Sequence, residues 1–90
     1  MPHVRFTRHL YRFFPGLEET PVEAGTVGEV VAELDRKHPG LAAYLVDERG
    51  ALRRHVNVFV GERPVRDRER LSDPLAPDSE VFIMQALSGG

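Results

Sequence analysis

Cysteine and tryptophan are both absent from the 90 residues. Without a thiol there is no disulfide framework, no thiolate metal site and no internal sulfur nucleophile, so any thiol chemistry must be brought from outside. An excess of positive charge is also lacking: Lys+Arg 12 against Asp+Glu 14 gives a formal net charge of −2. That balance provides no global basic field for neutralising phosphates and argues against a free nucleic-acid binder. Long apolar runs are missing too. The longest uncharged one, Leu41–Val46, falls far short of the roughly 20 residues needed to cross a hydrocarbon core. The opening MPHVRFTRHL contains no apolar signal region. A soluble, cytoplasmic protein with no membrane partner is expected, mature from Met1. The length suits one compact domain and excludes a two-domain enzyme.

What is present is patterned. Val4 and Phe6 alternate with Arg5 and Thr7, the period of a strand with one buried face. Leu10, Tyr11, Phe13 and Phe14 precede the turn signal Pro15-Gly16, and this cluster is expected to fold over the edge of the core. Thr20–Ala24 is expected to return as a strand, at an edge because Pro21 has no amide donor. Thr26 and Glu29 have capping-box spacing. Behind them Val27, Val30, Val31 and Leu34 form the apolar stripe of a helix that should end by His38, ahead of Pro39-Gly40. Leu41–Leu45 is a candidate short helix and Asp47–Gly50 a polar turn.

His55–Val60 is the clearest strand, with Val56, Val58 and Val60 on one face and Asn57 and Phe59 on the other. Gly61-Glu62-Arg63-Pro64 is expected to turn into a short strand near Val65-Arg66. Asp67–Asp78 is a polar crossing anchored inward by Leu71 and Leu75. Glu80–Leu87 closes the series, Val81 and Ile83 facing one way and Phe82 and Met84 the other. One amphipathic helix and one sheet describe an α+β roll with the helix across a mixed sheet.

The sequence ends Ser88-Gly89-Gly90. With glycine at about 7% of residues, such a pair arises by chance about once in 200 chains, and alone it is compatible with a frayed end. Here it follows directly on an apolar strand. The helix start Thr26-Val27-Gly28-Glu29, the strand His55-Val56-Asn57-Val58-Phe59-Val60, and Ser79-Glu80-Val81-Phe82-Ile83-Met84 running to Gly89-Gly90 together resemble the ubiquitin-like sulfur-carrier family. Its members include the molybdopterin-synthase small subunit, the thiamine sulfur carrier and the cysteine-biosynthesis carrier. The resemblance covers nearly the whole chain. It implies a β-grasp roll of about five strands with one main helix, spanning 1–87, and a flexible Gly-Gly tail over 88–90.

The resemblance further implies a protein cosubstrate rather than an enzyme. A ubiquitin-activating-type enzyme would adenylate the Gly90 carboxylate with ATP and magnesium, a sulfur donor would convert it to a thiocarboxylate, and a synthase would accept the sulfur. No cofactor would be held permanently. At 90 residues the chain exceeds the thiamine carrier's usual size, which favours a molybdopterin-type or CysO-like role. Gln85-Ala86-Leu87-Ser88 stands where those types commonly carry proline and small residues.

Glycine suits a reacting end because it has no Cβ to obstruct attack. Gly90 is therefore the expected reacting residue, with Gly89 beside it. Leu87 and Ser88 lie within the four residues that extend roughly 13 Å at about 3.3 Å each, enough to enter a narrow partner site. Ordering them costs about 1–2 kcal/mol per residue, so another surface must anchor the complex. Phe59, Phe82 and Met84 are the candidates, by alternation opposite the core face. The same patch can pair two copies of the chain.

His3, His9, His38 and His55 lack helical ligand spacing, and no metal site is expected. His3 and His9 are expected beside Arg5 on the outer strand face, and His38 at a helix end. Arg53, Arg54, Arg63, Arg66, Arg68 and Arg70 interleave with Asp67, Glu69 and Asp73 as a solvated mixed-charge surface able to steer an acidic partner. Two other functions fit the same pattern: a non-catalytic interaction domain that never activates its terminus, and a ubiquitin-like modifier joined to lysines.

Overall fold

Alternating side chains on three strands generate the buried face of the sheet. The computed structural model describes residues 1–85, the side chain of His9 excepted. The elements are β1 (His3–Phe6), α1 (Arg8–Phe13), β2 (Thr20–Pro21), α2 (Val27–Lys37), α3 (Leu41–Leu45), β3 (Val56–Val60), β4 (Arg63–Pro64) and β5 (Glu80–Gln85). The sheet order is β2-β1-β5-β3-β4, with β1 and β5 parallel and the other pairs antiparallel. Val4 and Phe6, Val56 and Val58, and Val81 and Ile83 project from the three central strands into one core. The α2 stripe Val27, Val30, Val31 and Leu34 meets them, and Leu41 and Leu45 of α3 extend the same cluster. No polar or charged residue is buried among the described residues, so burial of apolar surface carries the stability.

The α2 start shows how a polar crossing is held to a helix. The first amides of a helix have no partner within it. Here Val27 N–H donates to Asp73 O at 3.1 Å and Gly28 N–H to Leu71 O at 2.8 Å. Glu29 N–H donates to Thr26 Oγ1 at 3.2 Å, and Glu29 Oε1 accepts from Gly25 N–H at 2.8 Å. The capping box is thus formed, with the glutamate reaching one residue before the cap. Gly28 suits this closeness, since a Cβ there would lie 3.3 Å from Leu71 O, a tight contact to which the crossing would have to yield by a few tenths of an ångström. Leu71 takes a φ of 56°, costly for a branched side chain, and its burial in the core offsets that cost.

Two carboxylates shape the rest of the crossing. Asp73 accepts from Arg66 N–H and Asp67 N–H at 2.9 and 2.8 Å. Asp67 accepts from the Ser72 hydroxyl and from the amides of Glu69, Arg70 and Ser72. These donors, the Ser72 hydroxyl first and then Arg70 N–H, hold the Asp67 carboxyl below its ordinary range. A depressed folded value contributes stability above the unfolded carboxylate pKa of about 3.9, lost as pH falls through the folded value. Asp67→Asn is therefore expected to be less stable than the parent at neutral pH, with the gap narrowing across that acid window. Urea unfolding of both proteins at neutral and acid pH measures it.

Several sequence expectations shift in position. The cluster over Leu10–Phe14 forms the short helix α1, which places His9 in a helix rather than on the outer strand face. The returning strand shrinks from Thr20–Ala24 to Thr20–Pro21, although Val22 stays buried and donates to Pro2 O at 2.8 Å. The hairpin turns in two residues, Gly61-Glu62, because Gly61 adopts a φ of 63°. Its second strand is Arg63–Pro64 and not Val65–Arg66, while Val65 N–H still bonds Val58 O at 2.7 Å. His38 caps α2, its N–H donating to Leu34 O at 2.8 Å. His3 sits between two glutamates, 3.3 Å from Glu80 and 3.8 Å from Glu19.

Candidate functional site

The sheet face turned away from α2 carries the side chains that alternation expects there. Strand register aligns four residues in one row across the sheet: Arg5 opposite Phe82, Phe82 opposite Phe59, and Phe59 opposite Pro64. Phe82 and Phe59 are half-buried, a state between core and free surface. The Arg5 guanidinium carbon lies 5.6 Å from the Phe82 ring centroid, a cation–π contact that holds a positive charge over the apolar row. Sequence reasoning placed Arg5 on this face but missed that contact, which needs the parallel β1–β5 register to be seen.

The next row, nearer the end of β5, pairs Met84 with Asn57. Both are half-buried. Asn57 Oδ1 accepts from Arg68 at 3.2 Å, and the same guanidinium donates to Arg53 O at 2.9 Å and Val56 O at 2.8 Å. Arg68 is thus committed to stitching the polar crossing onto the start of β3, which removes it from the solvated arginines expected from sequence. At the opposite end of β5, Glu80 and His3 close the face with polar groups. The apolar surface of β5 therefore lies toward the tail.

Behind that end, Gln85 faces the helices. Its Nε2 donates to the Tyr44 hydroxyl at 2.9 Å, and its backbone N–H reaches Thr7 Oγ1 at 3.4 Å. The Tyr44 ring packs at 5.4 Å from Phe13 and 5.7 Å from Phe14. Phe13 is 54% exposed, an aromatic surface beside the root of the tail that sequence reading assigned only to the core edge. Phe59, Phe82 and Met84 thus share one face as expected. Leu87, Ser88, Gly89 and Gly90 lie outside the described residues. No helix among the described residues is long and apolar enough to cross a membrane.

Comparison with known proteins places this architecture. The profile of the ThiS family matches residues 4–90. The sulfur carrier protein CysO of Mycobacterium tuberculosis is 30% identical over 77 residues, 83% of either chain. Among solved structures, a chain of the Amycolatopsis orientalis BexX/CysO complex superposes with a TM-score of 0.85 at 27% identity, covering 100% of both chains. Mycobacterium tuberculosis CysO superposes with a TM-score of 0.83 at 26% identity, covering 97% of this chain and 100% of that one. SAMP1 from Haloferax volcanii shares the fold, with a TM-score of 0.79 at 23% identity over 99% and 98% of the two chains. The mixed five-strand sheet with its crossing helix is accordingly a β-grasp, and the chain belongs to the ThiS family of ubiquitin-like sulfur carriers.

Proposed function

We propose that this chain carries sulfur as a thiocarboxylate on Gly90 and delivers it to a CysO-type acceptor enzyme. The observation that carries the reading is the extent of the family match, which runs through residue 90 and so includes Gly89-Gly90, separated from the central strand β5 only by Ala86-Leu87-Ser88 in the sequence. A terminal carboxylate with a pKa of about 3.3–3.7 is ionised at neutral pH and is a poor electrophile. An adenylating enzyme removes that obstacle. A carboxylate oxygen attacks the α-phosphorus of ATP, held with magnesium on the enzyme, and pyrophosphate leaves. Sulfide-level sulfur delivered by the donor as hydrosulfide then attacks the carbonyl carbon, AMP leaves with the C–O electron pair, and loss of the S–H proton yields the thiocarboxylate. The chain supplies the substrate group and the docking surface, and its partners supply catalysis.

Docking falls to the row Arg5, Phe82 and Phe59 with Met84, and to Leu87 and Ser88 where the tail enters the partner. The CysO found in complex with BexX supports a protein partner for this fold. Phe82→Ala, which removes the central ring of the face without touching the core, is expected to raise KM for the carrier in adenylation roughly thirtyfold. That corresponds to about 2 kcal/mol, the scale of an aromatic hot spot. A retained single cooperative urea transition alongside the altered KM distinguishes docking from misfolding.

The deciding experiment is intact mass of the chain after incubation with ATP, magnesium, its adenylating enzyme and a sulfur donor. A gain equal to replacing one oxygen by sulfur, localised to Gly90, is expected. An unchanged mass with an enzyme shown to be active supports an interaction domain instead, and isopeptide-linked adducts in place of thiocarboxylate support a modifier.

A further inference from the structure

On the helix side of the sheet, at the end of β5, lies a cleft of about 300 Å³ lined by Ala43, Tyr44, Arg53, His55 and Gln85. Alternation along β5 puts Gln85 on the same face as the core residues Val81 and Ile83, so an amide stands where the next apolar side chain is due. Its Oε1 is buried and has no hydrogen-bond partner among the described residues. Burying an unpaired polar atom is costly, and its persistence calls for a reason. A half-turn of the amide lets the Tyr44 hydroxyl donate to Oε1 and leaves the Nε2–H groups as the unpaired donors of a residue that lines the cleft.

The walls complete a consistent chemistry. Arg53 donates through Nε to Ala43 O at 3.0 Å, and its two terminal nitrogens have no partner among the described residues. The half-buried His55 imidazole makes no hydrogen bond there either. No carboxylate among the described residues lines the cleft. Those residues offer donors and positive charge without a counter-ion among them, which is the complement of a planar oxyanion.

The geometry points to a carboxylate-binding notch for an Asp or Glu side chain of the adenylating enzyme, gripping the root of the tail while Gly90 enters the active site. This rests on the function proposed above and names a contact of that complex. Gln85 precedes Gly90 by five residues, a reach of roughly 16 Å at about 3.3 Å each. An enzyme that encloses the terminal carboxylate must lie against surface within that distance, and the notch is the positively charged cleft that Gln85 itself lines. The outer face and the notch would then hold β5 from both sides of the sheet.

ATP–pyrophosphate exchange by the adenylating enzyme, with the full chain as varied substrate, tests this. Gln85→Glu provides the notch with a carboxylate of its own and leaves the Arg53 contact to Ala43 in place; Arg53→Glu reverses the charge. Both are expected to raise KM for the carrier about tenfold with kcat within about twofold, while Arg53→Lys keeps most of the affinity. Circular dichroism melting confirms that each variant folds, and Gln85→Glu carries the test if Arg53→Glu does not. An unchanged KM for folded Gln85→Glu overturns the notch. A rise confined to KM for ATP also overturns it, because the site then takes a nucleotide phosphate. Absence of exchange with the parent chain removes the proposed function itself and the occupant with it.

Discussion

Removing Gly90 is expected to abolish sulfur loading while leaving the unfolding curve of the protein unchanged. The two effects separate because every described element ends by Gln85, so the deletion removes no residue of a described strand, helix or core. Loading, in contrast, depends on where the carboxylate stands. In the shortened chain it sits on Gly89, drawn back by one residue, about 3.3 Å, and a misplacement of about 1 Å in a reacting group already lowers rates roughly a hundredfold. Extension is the complementary test. One residue appended after Gly90 moves the carboxylate outward and places a Cβ at the reacting end unless that residue is glycine. Intact mass under the loading conditions is expected to show no oxygen-to-sulfur exchange for either chain. Full thiocarboxylation of the truncated protein would sink the assignment of Gly90.

Ile83→Ala is expected to produce the largest loss of stability. Ile83 is fully buried on β5, the middle strand, where it stands opposite Phe6 on one side and Val58 on the other. Truncating a buried isoleucine costs about 2–5 kcal/mol, the spread reflecting how far the surroundings close over the cavity. A chain of this length holds roughly 5–13 kcal/mol in total at 0.05–0.15 kcal/mol per residue. A cost of about 3 kcal/mol moves the midpoint of thermal unfolding down by roughly 12–24 °C. Calorimetry reads it directly, and a shift of only a degree or two would mean that the core does not depend on its central strand.

Alternation and capping made most of this architecture legible before any coordinates. Thr26, Glu29, the valine stripe and Pro39 bound α2 from local chemistry alone, and Val56, Val58, Val81 and Ile83 announced their faces by period two. The edges were harder. The Thr20–Ala24 segment keeps only a two-residue ladder beginning at Thr20, and the turn expected over Gly61-Glu62-Arg63-Pro64 closes in two residues, with a positive φ at Gly61, so the second strand begins at Arg63. Tyr11, Phe13 and Phe14 gave no single period, so α1 was invisible as a helix. The shared outer face of Phe59, Phe82 and Met84, to which docking is proposed, was accessible through period two. The notch was not, because Gln85 and Tyr44 are 41 residues apart and only the folded sheet brings them together.

The strand order has a consequence for how the protein is made. β5 is the last of the described strands along the chain and the middle one in the sheet, clasped between β1 and β3. A nascent chain must therefore wait, its first and third strands without their shared neighbour, until residues 80–85 have emerged from the ribosome. A product terminated early lacks the segment that gathers the others, remains open to proteolysis, and has no assembled face with which to occupy a partner. Among products that stop before this strand, the sheet itself acts as a check on completeness.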